Sequence, residues 1–324
     1  MNIVLVALFL KLVSIATINI CFCNGSSFGC CIQSEREALL RFKNDLIDPT
    51  NWLGSWKGDG DCCEWAGVVC DNLTRHVLDL NLRNPALKDH ASEVEYDAYL
   101  RSMLGGKINP SLLDLKHLVS LDLSDNNFEG IQIPGFLGSI EKLRYLNLSY
   151  NGFHGRVPHQ LGNLSNLQYL VLGSNSYLYT EKLWWLSRLS SLKYLDLDSV
   201  DLRKVNDNWL KVINTLPSLV VLRLHSCQLG QFPPITSANF SSLTELDLSY
   251  NQLNTSIPYW VFSLGNLVYL NLRFDDFQGP IPTGLQNLTS LEFLDLSVNS
   301  FNSSIPAWLY KFNHLKHLAL RANC

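Results

Sequence analysis

An α/β solenoid is predicted by three features of the chain: a repeated leucine frame, a nearly constant period, and an apolar–variable alternation inside each copy. Leu243–Leu267, LTELDLSYNQLNTSIPYWVFSLGNL, shows the frame: L-x-x-L-x-L-S-x-N-x-L, then I-P, then an apolar segment that closes on the next leucine. Leu267–Leu291 and the stretch from Leu291 repeat it. The fourth frame position falls on Leu121, Leu146, Leu170, Leu195, Leu222, Leu246, Leu270, Leu294 and Leu318, at steps of 24 to 27 residues.

A period of this size carrying this frame is the leucine-rich-repeat signature. In L-x-L the leucines alternate with variable residues, so a short strand turns leucines inward and the x residues outward. One repeat cannot bury its own apolar face, and stacked neighbours make a continuous core. The frame Asn (Asn126, Asn151, Asn175, Asn251, Asn299, Asn323) stands where the chain leaves the strand, and its amide can satisfy backbone groups left buried there. A curved array with parallel strands on its concave side is expected.

The 324 residues exceed an ordinary single domain, but a solenoid lengthens by adding repeats, so one array fits. A net charge of −4 gives no basic footprint for nucleic acid. Residues 1–23 read as a secretory signal peptide, with an apolar Ile3–Ile20 interrupted by Lys11. Nine cysteines behind such a start point to an oxidising compartment. Residues 24–75 read as an N-terminal cap and 76–324 as about ten repeats, the last incomplete. Ser34–Leu46, SEREALLRFKNDL, has Ser34 as N-cap, Glu37 three residues on, and Ala38, Leu39, Phe42 and Leu46 at helical spacing. That predicts a capping box and an amphipathic helix ended by Asp48-Pro49.

C-x-x-x-E-x-x-A-L-L (Cys31, Glu35, Ala38, Leu39, Leu40) and C-C-x-W-x-G-V-x-C (Cys62, Cys63, Trp65, Gly67, Val68, Cys70) resemble the N-terminal cap of plant extracellular leucine-rich-repeat proteins. The I-P residues resemble the plant-type repeat, which carries an additional small strand. WLKVINTLPSLVVLRLHSCQL, Trp209–Leu229, resembles the receptor-like proteins of the fungal xylanase-elicitor receptor type. The resemblance covers nearly the whole chain. It implies a plant-type superhelix with a disulfide-stapled cap, Cys31 pairing with Cys62 and Cys63 with Cys70, and Cys30 as an extra thiol beside the staple. It also implies non-enzymatic recognition of a peptide or protein ligand at the cell surface in defence, with membrane leucine-rich-repeat receptor kinases as adaptor and co-receptor. A zinc site is the rival reading of the cysteines; no C-x-x-C and no well-spaced His accompanies them.

From Leu80 to Leu121 the chain runs 41 residues, and the surplus around Ala86–Met103, with Asp89, Glu93, Glu95 and Asp97, reads as an acidic solvated loop. Between Leu167 and Leu243 the I-P element drops out of two copies and Cys227 replaces the turn Asn. That suggests a locally different back, with Cys227 as a small buried turn residue.

No G-x-S-x-G, P-loop, H-E-x-x-H or Gly-rich dinucleotide turn occurs, so neither an enzyme nor a cofactor is expected. His314-x-x-His317 reads as surface filler around Leu315. The binding surface of such an array is its outward strand positions. One column runs Tyr145, Tyr169, Tyr194, Val221, Glu245, Tyr269 and Phe293, mostly aromatic residues of the kind that anchor interfaces. The next holds Asp122, Asn147, Val171, Asp196, Arg223, Asp247, Asn271 and Asp295, with Tyr150, Tyr250 and Phe274 further round. An acidic–aromatic strip suits a ligand with basic residues; the bland alternative is that Tyr and Asp merely fill exposed strands.

N-glycosylation sequons stand at Asn24, Asn72, Asn147, Asn163, Asn239, Asn254, Asn287 and Asn302. Most fall on a flank or the back. Asn147 points into the strip, and glycan there would move binding toward Tyr169–Phe293. The chain stops at Cys324 with no closing cap, which reads as a piece of a longer receptor at the plasma membrane, or as an apoplastic product if the chain is whole. A secreted inhibitor of microbial cell-wall hydrolases, of the polygalacturonase-inhibiting type, and a non-functional remnant are the alternatives.

Overall fold

The structure is a computed structural model that describes residues 30–323 except 59, 86–90, 176 and 206. The signal-peptide segment, Asn24, Asp89 and Cys324 lie outside the described residues. An eleven-stranded sheet runs the length of the array. Its first pair, Val68–Cys70 with Val77–Asn81, is antiparallel, and every later pair is parallel. The register follows the frame: Leu121, Leu146 and Leu170 stand opposite one another, as do Leu246, Leu270 and Leu294. These leucines are fully buried in one continuous core.

The backs of the repeats are short 3-10 turns behind the I-P prolines, as at Tyr259–Ser263 and Thr283–Asn287. Small outer pairs, His154–Arg156 with Tyr177–Tyr179 and Gln278–Gly279 with Ser300–Phe301, form the additional strands implied for a plant-type repeat. In the irregular stretch the back is instead a 3-10 turn, Arg203–Val205, followed by a short α-helix, Trp209–Ile213.

The cap carries both expected disulfides, Cys31–Cys62 and Cys63–Cys70. Cys30 is not a spare thiol: it too is disulfide-bonded. Gly67 of the cap motif lies at φ +76°, where a Cβ would sit 2.3 Å from the Asn81 carbonyl oxygen. Only glycine permits that approach of the two first strands.

Two expectations for helices fail. The cap helix is Gln33–Asn44, entered at Ile32 with no side-chain cap. Asp61 accepts from the Cys31 N–H and the Cys31 disulfide fixes the entry, so Ser34 falls inside the helix and Glu37 pairs with Gln33 instead. The capping box occurs elsewhere. Ser92 and Glu95 close one on the helix Glu93–Ser102, within the stretch expected to be a loop. This helix is anchored by Tyr99, whose hydroxyl donates to Asp125, and by Ser102, which donates to Asn84.

Glu35 is buried and ties the cap to the array. It accepts from the Val77 N–H at 2.7 Å and meets His76 Nδ1 at 2.9 Å, while His117 stacks on His76 with ring centroids 3.7 Å apart. This carboxylate–imidazole group joins the cap helix to the start of the array. Spacing did not reveal it, because its members come from three elements.

The frame Asn forms a ladder. Asn175 Nδ2 donates to the carbonyls of Leu148 and Leu172, each at 2.8 Å, and its Oδ1 accepts from the N–H groups of Asn151 and Phe153. Asn126, Asn251 and Asn299 repeat the pattern. The residue before each rung is left-handed, including Tyr150, Tyr250, Phe274 and even β-branched Val298. That conformation costs about 1–2 kcal/mol for a non-glycine residue, and the buried amide bonds hold it. Asn175→Ala is expected to destabilise the chain by about 3 kcal/mol, since two buried N–H donors lose their acceptor. Chemical denaturation of the variant beside the parent checks this.

Candidate binding face

The outward strand positions form three columns. In the first, Tyr145–Tyr169 and Tyr169–Tyr194 lie 5.8 Å apart between ring centroids. Val221 and Glu245 interrupt the column. It resumes with Tyr269 stacked on Phe293 at 4.3 Å, and Phe293 on His317 at 4.3 Å. The expected ladder is therefore two aromatic tracks with a charged centre. His317 is not filler: it continues the second track. Stacking restrains these rings and leaves them partly exposed, Tyr169 keeping 40 % of its surface.

The second column differs from expectation. Asp122, Asn147, Asp196 and Asp295 are buried. In each, and in Asp247 and Asn271, one side-chain oxygen accepts from the N–H two residues on, at Ser124, Ser149, Asp198, Ser297, Ser249 and Arg273. Short polar side chains do this wherever a strand ends in a turn. The second carboxylate oxygen of Asp122 accepts from the Tyr145 hydroxyl, and that of Asp247 from Tyr269. The column therefore braces the tracks rather than presenting open acids.

Arg223 is the exception. Its Nε donates to Glu245 at 2.6 Å, and its guanidinium lies over the Tyr194 ring at 5.7 Å. Burial opposes its charge, and the Glu245 carboxylate outweighs that, so its pKa is raised. Burial pushes the Tyr194 and Tyr269 hydroxyls up to about 12, so both stay neutral donors.

A third column, one alternation further along each strand, was missed: Asp198, His225 and Arg273 belong to it. His225 and Tyr250 rings lie 4.9 Å apart, Tyr250 stacks on Phe274 at 5.2 Å, and Arg273 donates to the Tyr250 hydroxyl. The same period-two reading applied one residue pair later would have found it. Burial, and then the neighbouring Asp196 carboxylate, push the Asp198 carboxyl up to about 7.

Six sequon asparagines, Asn72, Asn163, Asn239, Asn254, Asn287 and Asn302, are exposed and lie outside these columns. Asn147 is not available as expected. It is 8 % exposed, with Oδ1 held by Ser149 and Nδ2 beside Asp122 and Tyr145. Cys227 is buried and thiol-bearing, as its turn position suggested. No helix among the described residues is long and apolar enough to cross a membrane.

A stacked parallel sheet with a disulfide cap and an aromatic inner face defines a plant-type leucine-rich-repeat protein. The description "Leucine rich repeat N-terminal domain" matches residues 32–71, and "Leucine rich repeat" matches 116–177, 217–277 and 290–312. The chain belongs to this family. It is 38 % identical over 85 % of its length to receptor-like protein EIX1 of Solanum lycopersicum, and 39 % identical over 72 % to EIX2 of the same plant. It spans only 27 % and 22 % of those relatives. Among solved structures it is similar to the ectodomain of the Arabidopsis thaliana receptor kinase GASSHO1/SCHENGEN3, crystallised with CASPARIAN STRIP INTEGRITY FACTOR 2. That match has a TM-score of 0.72 and 29 % identity, and covers 90 % of this chain and 32 % of that one. The Arabidopsis receptor kinase HAESA, in complex with the peptide hormone IDA and the co-receptor SERK1, matches with a TM-score of 0.70 and 27 % identity over 90 % of this chain and 50 % of that one.

Glycopeptide mass spectrometry of the chain expressed through a plant secretory pathway is expected to find glycan on the six exposed asparagines and none on Asn147. Asp198 carries a second expectation. Its folded pKa lies above the ordinary carboxylate value, so the folded state holds the extra proton and stability falls as pH climbs from about 4 to about 7. Asp198→Asn should therefore be stabilising at neutral pH and neutral near pH ~4, as thermal melts at the two pH values would report.

Proposed function

We propose that the chain is a non-enzymatic recognition module of an extracellular receptor-like protein. On this reading it takes a peptide or protein ligand along the concave face and passes the signal through membrane leucine-rich-repeat receptor kinases in plant defence. The observation that carries the reading is the pair of stacked aromatic tracks flanking Arg223 and Glu245, on a face free of exposed sequons. Rigid aromatics with a polar centre are the residues from which binding hot spots are built. The ligand that fits is an extended segment with apolar side chains over Tyr145–Tyr194 and Tyr269–His317 and a charged residue between them.

The relatives support the receptor role, and the two kinase ectodomains support a peptide on an array of this shape. Secretion, glycosylation and a place at the cell surface belong to the same proposal. The alternative is a secreted inhibitor of microbial polygalacturonase, which would use the same face.

The test is binding of a fungal xylanase to the secreted chain by surface plasmon resonance. Tyr269→Ala combined with Phe293→Ala should weaken it at least about tenfold, and Tyr310→Ala, exposed on the back, should leave it unchanged. Binding that survives the double substitution overturns the assignment to this face. Absence of xylanase binding together with inhibition of a fungal polygalacturonase moves the protein to the inhibitor reading.

A further inference from the structure

Most Asn rungs of the ladder aim a hydrogen-bond donor at the carbonyl of the preceding repeat. Asn175 Nδ2 donates to Leu148, Asn251 Nδ2 to Leu224 and Asn299 Nδ2 to Leu272. Between Asn126 and Asn323 three positions of the frame carry no amide: Val200, which offers no side-chain donor, Cys227 and Asp275. At Cys227 the thiol supplies the donor: Sγ lies 3.1 Å from the Leu197 carbonyl, the equivalent acceptor. Burial raises its pKa far above that of a free thiol, so it keeps its proton.

The acidic departure is Asp275. Its side chain is fully buried. Oδ1 accepts from the Asn251 N–H at 2.8 Å, the bond that the Oδ1 of Asn175 makes with Asn151. Oδ2 therefore falls where the other rungs carry Nδ2, facing main-chain carbonyls, and it is buried with no hydrogen-bond partner. An ionised carboxylate would set a charge against carbonyl oxygens in a dry site. A carboxylic acid would supply the donor that the Asn rungs carry at this place.

We propose that Asp275 is held as the neutral acid, its Oδ2–H donating to the Leu248 carbonyl, and that the joint between the repeats starting at Leu243 and Leu267 is an acid-stabilised element that loosens when Asp275 ionises. Burial, and to a lesser degree the Asp247 carboxylate on the adjoining strand, raise its pKa, against the opposing bond from the Asn251 N–H. Among the described residues no cation compensates. Arg273 directs its guanidinium to the Tyr250 hydroxyl and Ser297, Asp276 lies exposed beside Ser300, and the neighbouring rungs Asn251 and Asn299 are neutral. The folded state thus binds a proton that the unfolded chain releases at an ordinary carboxylate pKa. Stability is complete below that value and declines as pH rises toward the folded one.

The decisive variant is Asp275→Asn in the whole secreted chain, which restores the amide. Its Tm should exceed that of the parent by at least about 2 °C near pH ~7.5, with the gap closing near pH ~4. A gap equal at both pH values, or a variant less stable near pH ~7.5, overturns the proposal. Hydrogen exchange of the parent gives an independent reading. After correction for intrinsic rates, protection of the Asn251 amide and of Leu272–Phe277 should fall between pH ~5 and ~8, and constant protection would sink the idea even if the variant failed to fold.

Discussion

Main-chain amides and carbonyls have to be satisfied wherever the chain turns off a strand into the interior, and the buried amide of the frame Asn is how this protein does it. Asn126, Asn175, Asn251, Asn299 and Asn323 each bond carbonyls of their own repeat and of the one before. The left-handed turn residues and the order of the outward columns recur beside that contact along the array. A leucine core alone would hold repeats together without setting their register, because apolar burial is non-directional.

The outer face inherits this order. Tyrosines recur at one frame position, so they stack at a separation near that of neighbouring strands. The acids beside them cap turns and hold tyrosine hydroxyls, which leaves Arg223, Glu245 and the aromatic rings as the groups that meet solvent chemistry. Such a face is preorganised, and little side-chain entropy remains to be lost when something binds along it.

The departures from the frame are informative because the ladder constrains them. Cys227 keeps a donor at the rung with its thiol, Asp275 places a carboxyl there, and Val200 fills the position with an apolar side chain and no donor. At the cap, the constraint is different. There the core edge would be open, and disulfides, the Glu35 clasp and the close approach at Gly67 cover it with elements drawn from separate parts of the chain.

Period, frame, strand register and the composition of the core were legible in the residues, since a repeat that touches only its neighbours writes its geometry into local spacing. The cap motifs likewise indicated the two disulfides. The tertiary structure alone decided which polar residues look outward. Alternation separates inside from outside, yet it cannot say that Asp196 or Asn147 bends back to an N–H two residues on, or that His76, His117 and Glu35 meet. It also could not place the helix Glu93–Ser102, whose capping box sits in a stretch without the repeat's pattern. Those outcomes depend on hydrogen bonds across repeats and elements, which exist only once the stack has formed.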